Sequence, residues 1–265
     1  HGAWSIAATI WKTSPWASAC TRRPTYRARC MPTWNTRSRA ARPATTVATR
    51  CRAQDLCAWL GAQGIAPGTP VVAYDRSGGS YAARLWWLLR WLGHTGPVRV
   101  LDGGWAAWEA AGGQASGRTT TPTPLAYPVP ATRDELWVDL AFIEHNLATR
   151  EVLVVDARGA PRYLGEVEPI DPRPGHIPGA ANRPFPQNLG NNGRFKPAQL
   201  LASEWKAVLG EHSPAQSVAQ CGSGVTACHN LLAMEIAGLP GARLYPGSWS
   251  EWCSDPARPA RLGRE

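Results

Sequence analysis

With 265 residues, 44% of them hydrophobic, the chain is long enough for one large or two ordinary globular domains and apolar enough to fill their cores. No apolar run approaches the roughly 18–20 residues that span a membrane, and the sequence does not open on the basic, apolar and small-residue order of a signal peptide, so a cytoplasmic location is the expectation. The formal charge of +9 is not spread over the chain: residues 1–50 carry nine basic residues and no Asp or Glu. Subtracting these nine leaves 19 basic residues to balance the 19 acidic ones of residues 51–265, so neither nucleic acid nor membrane is expected as a partner.

Residues 1–50, rich in Arg, Thr, Trp and Pro, show neither helical nor alternating periodicity beyond short fragments. They read as an atypical, disordered or altered segment of a first domain in preference to a basic arm that touches phosphates. From residue 51 on, short β-branched runs such as "TPVVAYD", "VRVLDGG", "EVLVVDAR" and "ARLYPGS" alternate with helical patterns such as "SYAARLWWLLRWLGH" and "TACHNLLAMEIAG". Strand and helix in alternation predict an α/β fold with a parallel-type sheet and helices on both faces. Between the two sets, residues 112–135 are rich in Gly, Pro and Thr and read as a partly extended linker. The expected domains are therefore 51–115 and 136–265, with 116–135 as linker.

The two sets repeat each other. Asp75 lies 146 residues before Cys221, Gly93 lies 145 before Gly238, and Trp105 lies 144 before Trp249. One unit of strand, loop, helix, strand, turn and Trp has been used twice. The copies differ at two places. Only the second loop carries a thiol, and the stretch "VLVVDARGAPRYLGEVEPIDPRPGHIPGAANRPF" upstream of Cys221 has no recognisable counterpart in residues 6–41.

Seven cysteines, an odd number with no Cys-x-x-Cys pair, suggest neither a disulfide framework nor a zinc site. Cys221 stands apart, because it sits where a buried strand gives way to "CGSGVTA" and then to a helix. Such a loop turns successive backbone N–H groups inward, and its glycines let the backbone curl around an anion. A cysteine at the base of such a cradle, at a helix N-terminus, is favoured as thiolate. The position at the carboxyl end of a parallel strand is where α/β proteins bind ligands.

"CGSGVTA" with "GARLYPGSWSEW" after it and "DAR" and "GHIPGA" before it resembles the tandem-domain rhodanese family of thiosulfate and 3-mercaptopyruvate sulfurtransferases. The resemblance covers about residues 52–265. It implies two rhodanese-like domains, the first catalytically silent, and sulfur transfer through a persulfide on Cys221. The amides of Gly222, Ser223, Gly224, Val225 and Thr226 would stabilise the anionic sulfur, with Ser223 assisting proton movement. No metal or organic cofactor is implied. The partners implied are a small anionic sulfur donor and an acceptor that is a small thiol, a thioredoxin-like protein or cyanide. Arg162 matches the family's substrate arginine, its alternative being an ion pair with Glu166 or Glu168. The position of a second arginine nine residues on is Asp171 here, so Arg173 is the candidate to stand in. His176 is read as structural, and Cys228 and His229 as helix packing. The related cysteine phosphatases need an arginine where this chain has Ala227, which argues against phosphoryl chemistry. The remaining rival is a catalytically impaired module that binds a partner or carries sulfur.

Overall fold

The computed structural model of the protein describes residues 52–115 and 121–264. They form two compact units, one running to Arg133 and the other from Asp134. Residues 1–51, which include the basic segment, the region 6–41 and Cys20, Cys30 and Cys51, lie outside the described residues.

In the first unit, helix α1 (Ala53–Ala62) precedes strand β1 (Val71–Ala73), helix α2 (Ser80–Trp91), strand β2 (Val98–Val100) and helix α3 (Gly104–Ala110). The two strands pair in parallel with Val71 opposite Val98. Helix α2 buries Ala82, Ala83, Trp86, Trp87, Leu88 and Leu89. It stops at Gly93, whose φ of 66° suits glycine, and the next amide, that of His94, reaches back to Leu89 O.

The stretch expected to be a partly extended linker is, over residues 121–133, irregular chain that lies against the first unit as a strap. Leu125 N–H donates to Gly61 O and Arg133 N–H to Trp91 O. The strap comes so close that a Cβ on Gly61 would stand 2.5 Å from Leu125 O. Buried Tyr127 and the His94 imidazole lie 3.0 Å apart, with the other ring nitrogen 2.8 Å from Thr69 O. The unit therefore extends past residue 115, because proline-rich extended chain can satisfy its backbone against another element's carbonyls without regular structure.

The second unit contains α4 (Leu140–Thr149), β3 (Leu153–Asp156), α5 (Ala160–Leu164), β4 (Ala181–Asn182), α6 (Ala198–Leu209), β5 (Ser217–Gln220), α7 (Ala227–Ile236), β6 (Arg243–Leu244) and α8 (Ser248–Trp252). Its four strands lie in the order β4-β3-β5-β6, all parallel. Alternation along β3 sends Val154 into a layer with Ile143, Trp249 and Trp252, and Val155 into another with Leu201, Trp205 and Met234. Helices thus cover both faces, as the sequence predicts, and the loop after β5 emerges at the sheet's carboxyl end.

The duplication persists at the level of single hydrogen bonds. Leu101 N–H donates to Ala73 O and Trp105 N–H to Asp75 O in the first unit. Tyr245 N–H donates to Ala219 O and Trp249 N–H to Cys221 O in the second.

Candidate active site

Cys221 follows the last residue of β5 and is 2% exposed. Its backbone is clamped from α8: Trp249 N–H takes its carbonyl at 3.0 Å, Ser250 N–H takes that of Gly222 at 2.9 Å, and its own amide donates to Ser248 Oγ at 3.1 Å. Ser248 in turn donates to Tyr245 O. It holds a left-handed backbone, φ 55°, which a side chain adopts only at a cost of about 1–3 kcal/mol. The matching residue of the first unit is Gly104, φ 58°. The sequence alone assigns Ser248 no role. The signal was a serine standing in one copy where glycine stands in the other.

The loop turns at Gly224, φ 72°. Cys228 N–H returns to Val225 O and His229 N–H to Thr226 O. Among the described residues, no protein group accepts from the amides of Gly222, Ser223, Val225 and Thr226. The equivalent loop in the first unit shows what such amides hold. Asp75, 3% exposed, accepts from Ser77 (2.7 Å) and Gly79 (2.9 Å) at Oδ1 and from Tyr81 and Ala82 (both 2.9 Å) at Oδ2. The folded loop of this repeat is an anion cradle, and in the first unit the protein's own carboxylate fills it.

Arg162, on the short helix α5, both makes an ion pair and borders the loop. Its Nε and Nη2 donate to Glu168 at 3.1 and 2.7 Å, and Nη2 also to Asp171 at 2.9 Å. Of the two glutamates expected as partners, the structure selects Glu168. Nη1 has no acceptor among the described residues and lies 3.5 Å from where a Cβ on Gly222 would stand. Asp171 is fixed on its other oxygen by the Ser250 hydroxyl at 2.6 Å. Burial pushes the Asp171 carboxyl above its ordinary pKa; the Ser250 bond works against that rise, the Glu168 charge adds to it, and the charges of Arg162 and Arg158 oppose it. Behind this group Arg158 is buried, grips Asp156 through Nε and Nη2, donates to Gly175 O and lies over the Trp249 ring. Its Nη1 stands 3.5 Å from Glu168. Charges alternate from β3 to the rim of the loop.

The remaining candidates lie elsewhere. Arg173 is not brought to the loop in place of a second arginine: its guanidinium donates to the carbonyls of Asp255 and Arg258 at 3.0 and 3.1 Å, tying down the C-terminal stretch. His176 is buried, stacked on Tyr163 at 3.8 Å, with Nδ1 at the Tyr163 carbonyl. Cys228 is fully buried with Sγ on Gly224 O, and His229 packs between Phe185 and Phe195. Burial pushes the Cys253 thiol up to about 12. Among the described residues no cluster of His, Cys, Asp or Glu could hold a metal ion, and no helix is long and apolar enough to cross a membrane.

A doubled parallel-sheet unit with an anion cradle after the strand, filled by aspartate in one copy and opening on cysteine in the other, defines a class. The chain belongs to the rhodanese family: the family model of the rhodanese-like domain matches residues 40–111 and again 140–255. Among relatives, the protein described as "Probable 3-mercaptopyruvate sulfurtransferase" of Pseudomonas aeruginosa is 46% identical over 209 residues, 79% of this chain and 73% of that one. The 3-mercaptopyruvate sulfurtransferase of Homo sapiens is 39% identical over 76% of this chain and 68% of its own. Among solved structures, the anaerobic ergothioneine biosynthesis enzyme from Chlorobium limicola with trimethyl histidine aligns at a TM-score of 0.70 and 25% identity. That alignment covers 82% of this chain and spans 56% of the solved one.

Proposed function

We propose that the protein is a sulfurtransferase that carries a sulfane sulfur on Cys221. The carrying observation is the contrast between the two loops: four amides close on the Asp75 carboxylate, whereas the amides of Gly222, Ser223, Val225 and Thr226 beside Cys221 have no protein acceptor among the described residues. In this reading the Cys221 thiolate attacks the sulfur of a small anionic donor. With 3-mercaptopyruvate the carbon–sulfur bond breaks and its electron pair leaves on the pyruvate enolate, which takes a proton by way of Ser223. With thiosulfate the sulfur–sulfur bond breaks and sulfite leaves with the pair. The outer sulfur of the resulting persulfide carries the negative charge, and the amides from Gly222 to Thr226 receive it. A thiolate, of a small thiol or a thioredoxin-like protein, or cyanide then attacks that sulfur and releases the Cys221 thiolate. Arg162 Nη1 beside Gly222 is the group to receive the donor's anionic end.

Intact-mass measurement after incubation with either donor tests this. A gain of one sulfur on the Cys221 peptide, lost on adding cyanide, is expected. Cys221→Ser should show neither the gain nor turnover, since an alcohol is too weakly acidic to replace the thiolate, while Cys228→Ser should keep most of both. Wild-type protein that takes up no sulfur from either donor would mark the chain as a binding module instead.

A further inference from the structure

Arg162 is a side-chain cation bordering the loop, and its fork is already half spent. Nη2 is shared between Glu168 and Asp171, so Nη1 alone faces Gly222 without an acceptor among the described residues. Asp171 is not incidental to that arrangement. Ser250 donates through its hydroxyl to Asp171 and through its amide to Gly222 O, so one residue couples the Asp171 carboxylate to the loop backbone. Within this connected group three carboxylates, those of Asp156, Glu168 and Asp171, meet two guanidiniums, those of Arg158 and Arg162.

We propose that Asp171 is the specificity-determining residue for donor charge: it occupies one arm of Arg162 and sets a carboxylate at the loop's rim, so that a monoanion is accepted and a dianion is repelled. This deepens the sulfurtransferase reading and rests on it. Two consequences follow from the geometry. A donor meets one guanidinium nitrogen and not a bidentate fork, so neither a carboxylate nor a tetrahedral oxyanion gains a two-point hold and the choice between donors falls to charge. The second negative charge of a dianion approaches a fixed carboxylate, which like-charge repulsion penalises.

Asp171→Asn is the discriminating variant, because the amide oxygen can still accept from Arg162 while its NH2 donates to the Ser250 hydroxyl. The ratio of kcat/KM for thiosulfate to that for 3-mercaptopyruvate should rise about tenfold, through a lower KM for thiosulfate with little change in kcat, and the rise should shrink at high salt. In a Cys221→Ser background, sulfate should bind about tenfold more tightly once Asp171→Asn is added, and pyruvate should change much less. Equal changes for both donors and both anions, or none, would overturn the proposal. Should the wild type form no persulfide while sulfate binding still tightens selectively, the sulfurtransferase reading falls and the charge filter at Asp171 stands. Should persulfide form while neither ratio moves, the filter alone falls.

Discussion

In the first unit the amides of Ser77, Gly79, Tyr81 and Ala82 close on the Asp75 carboxylate, whereas in the second the amides of Gly222, Ser223, Val225 and Thr226 meet no protein acceptor among the described residues. The backbone bonds that frame the two loops are the same, from Trp105 to Asp75 and from Trp249 to Cys221. What differs is whether the cradle is satisfied from within. The aspartate side chain places its charged oxygen one bond beyond Cγ, as a persulfide places its charged sulfur one bond beyond Sγ. Asp75 is thus a standing image of sulfur-loaded Cys221. One substitution makes a loop that is finished on folding, and the other makes a loop that is finished only by its ligand.

The comparison is broken most sharply by deletion at each position. Asp75→Ala leaves four amides without their acceptor, those of Gly79 and Ala82 buried and those of Ser77 and Tyr81 partly so, and should cost about 3 kcal/mol, since each unmade bond is worth roughly 1–3 kcal/mol and water recovers part of it. Cys221→Ala removes one buried sulfur atom without taking an acceptor from amides that have no protein partner, and should cost about 1 kcal/mol. Urea unfolding, followed by hydrogen exchange in α2 and in α7, measures both. Similar losses at the two sites would mean that the Asp75 bonds do not distinguish the loops.

A smaller effect sharpens it from the other side. Cys221→Asp should abolish turnover yet unfold at higher urea than Cys221→Ser, by about 1–2 kcal/mol, because the carboxylate supplies charged acceptors to amides that the hydroxyl cannot reach. A Cys221→Asp protein less stable than Cys221→Ser would show that the second cradle differs in shape from the first.

The smallest effect concerns the strap. Burial holds the His94 imidazole below its ordinary pKa, against the backbone bond to Thr69. The unfolded chain therefore binds a proton near pH 6.5 that the folded unit binds only at lower pH. The stability this gives the first unit is fully present above pH 6.5 and declines as pH falls below it. A His94→Gln variant should flatten that decline in a urea series from pH 7.5 to pH 5.5. A decline unchanged by the substitution would assign it to another group.

The fold was legible because its strands are short β-branched runs and its helices end at glycines with fixed offsets, Gly93 and Gly238 both left-handed in the structure. Cys221 was legible for the same reason, since the repeat showed a thiol in one copy and an acid in the other. The partners of Arg162 were not. Glu166, Glu168 and Asp171 crowd one short stretch, and the choice among them depends on how the chain leaves α5 at Gly165, φ 79°, a path no periodicity encodes. The strap resisted for a different cause: Pro and Thr mark extended chain, but not whether that chain lies in water or against Gly61. Arg173 looked available by spacing alone, and only the course of residues 255–258 shows its guanidinium to be taken.

The tethered carboxylate of Asp75 has a consequence for counting. A side chain that cannot diffuse away competes for its cradle at an effective concentration that no dissolved anion of ordinary affinity matches. The protein is a duplication, yet its first cradle, filled by Asp75, is closed to sulfate or a donor analogue. The first cradle becomes a second port for free anions only when the Asp75 side chain is removed.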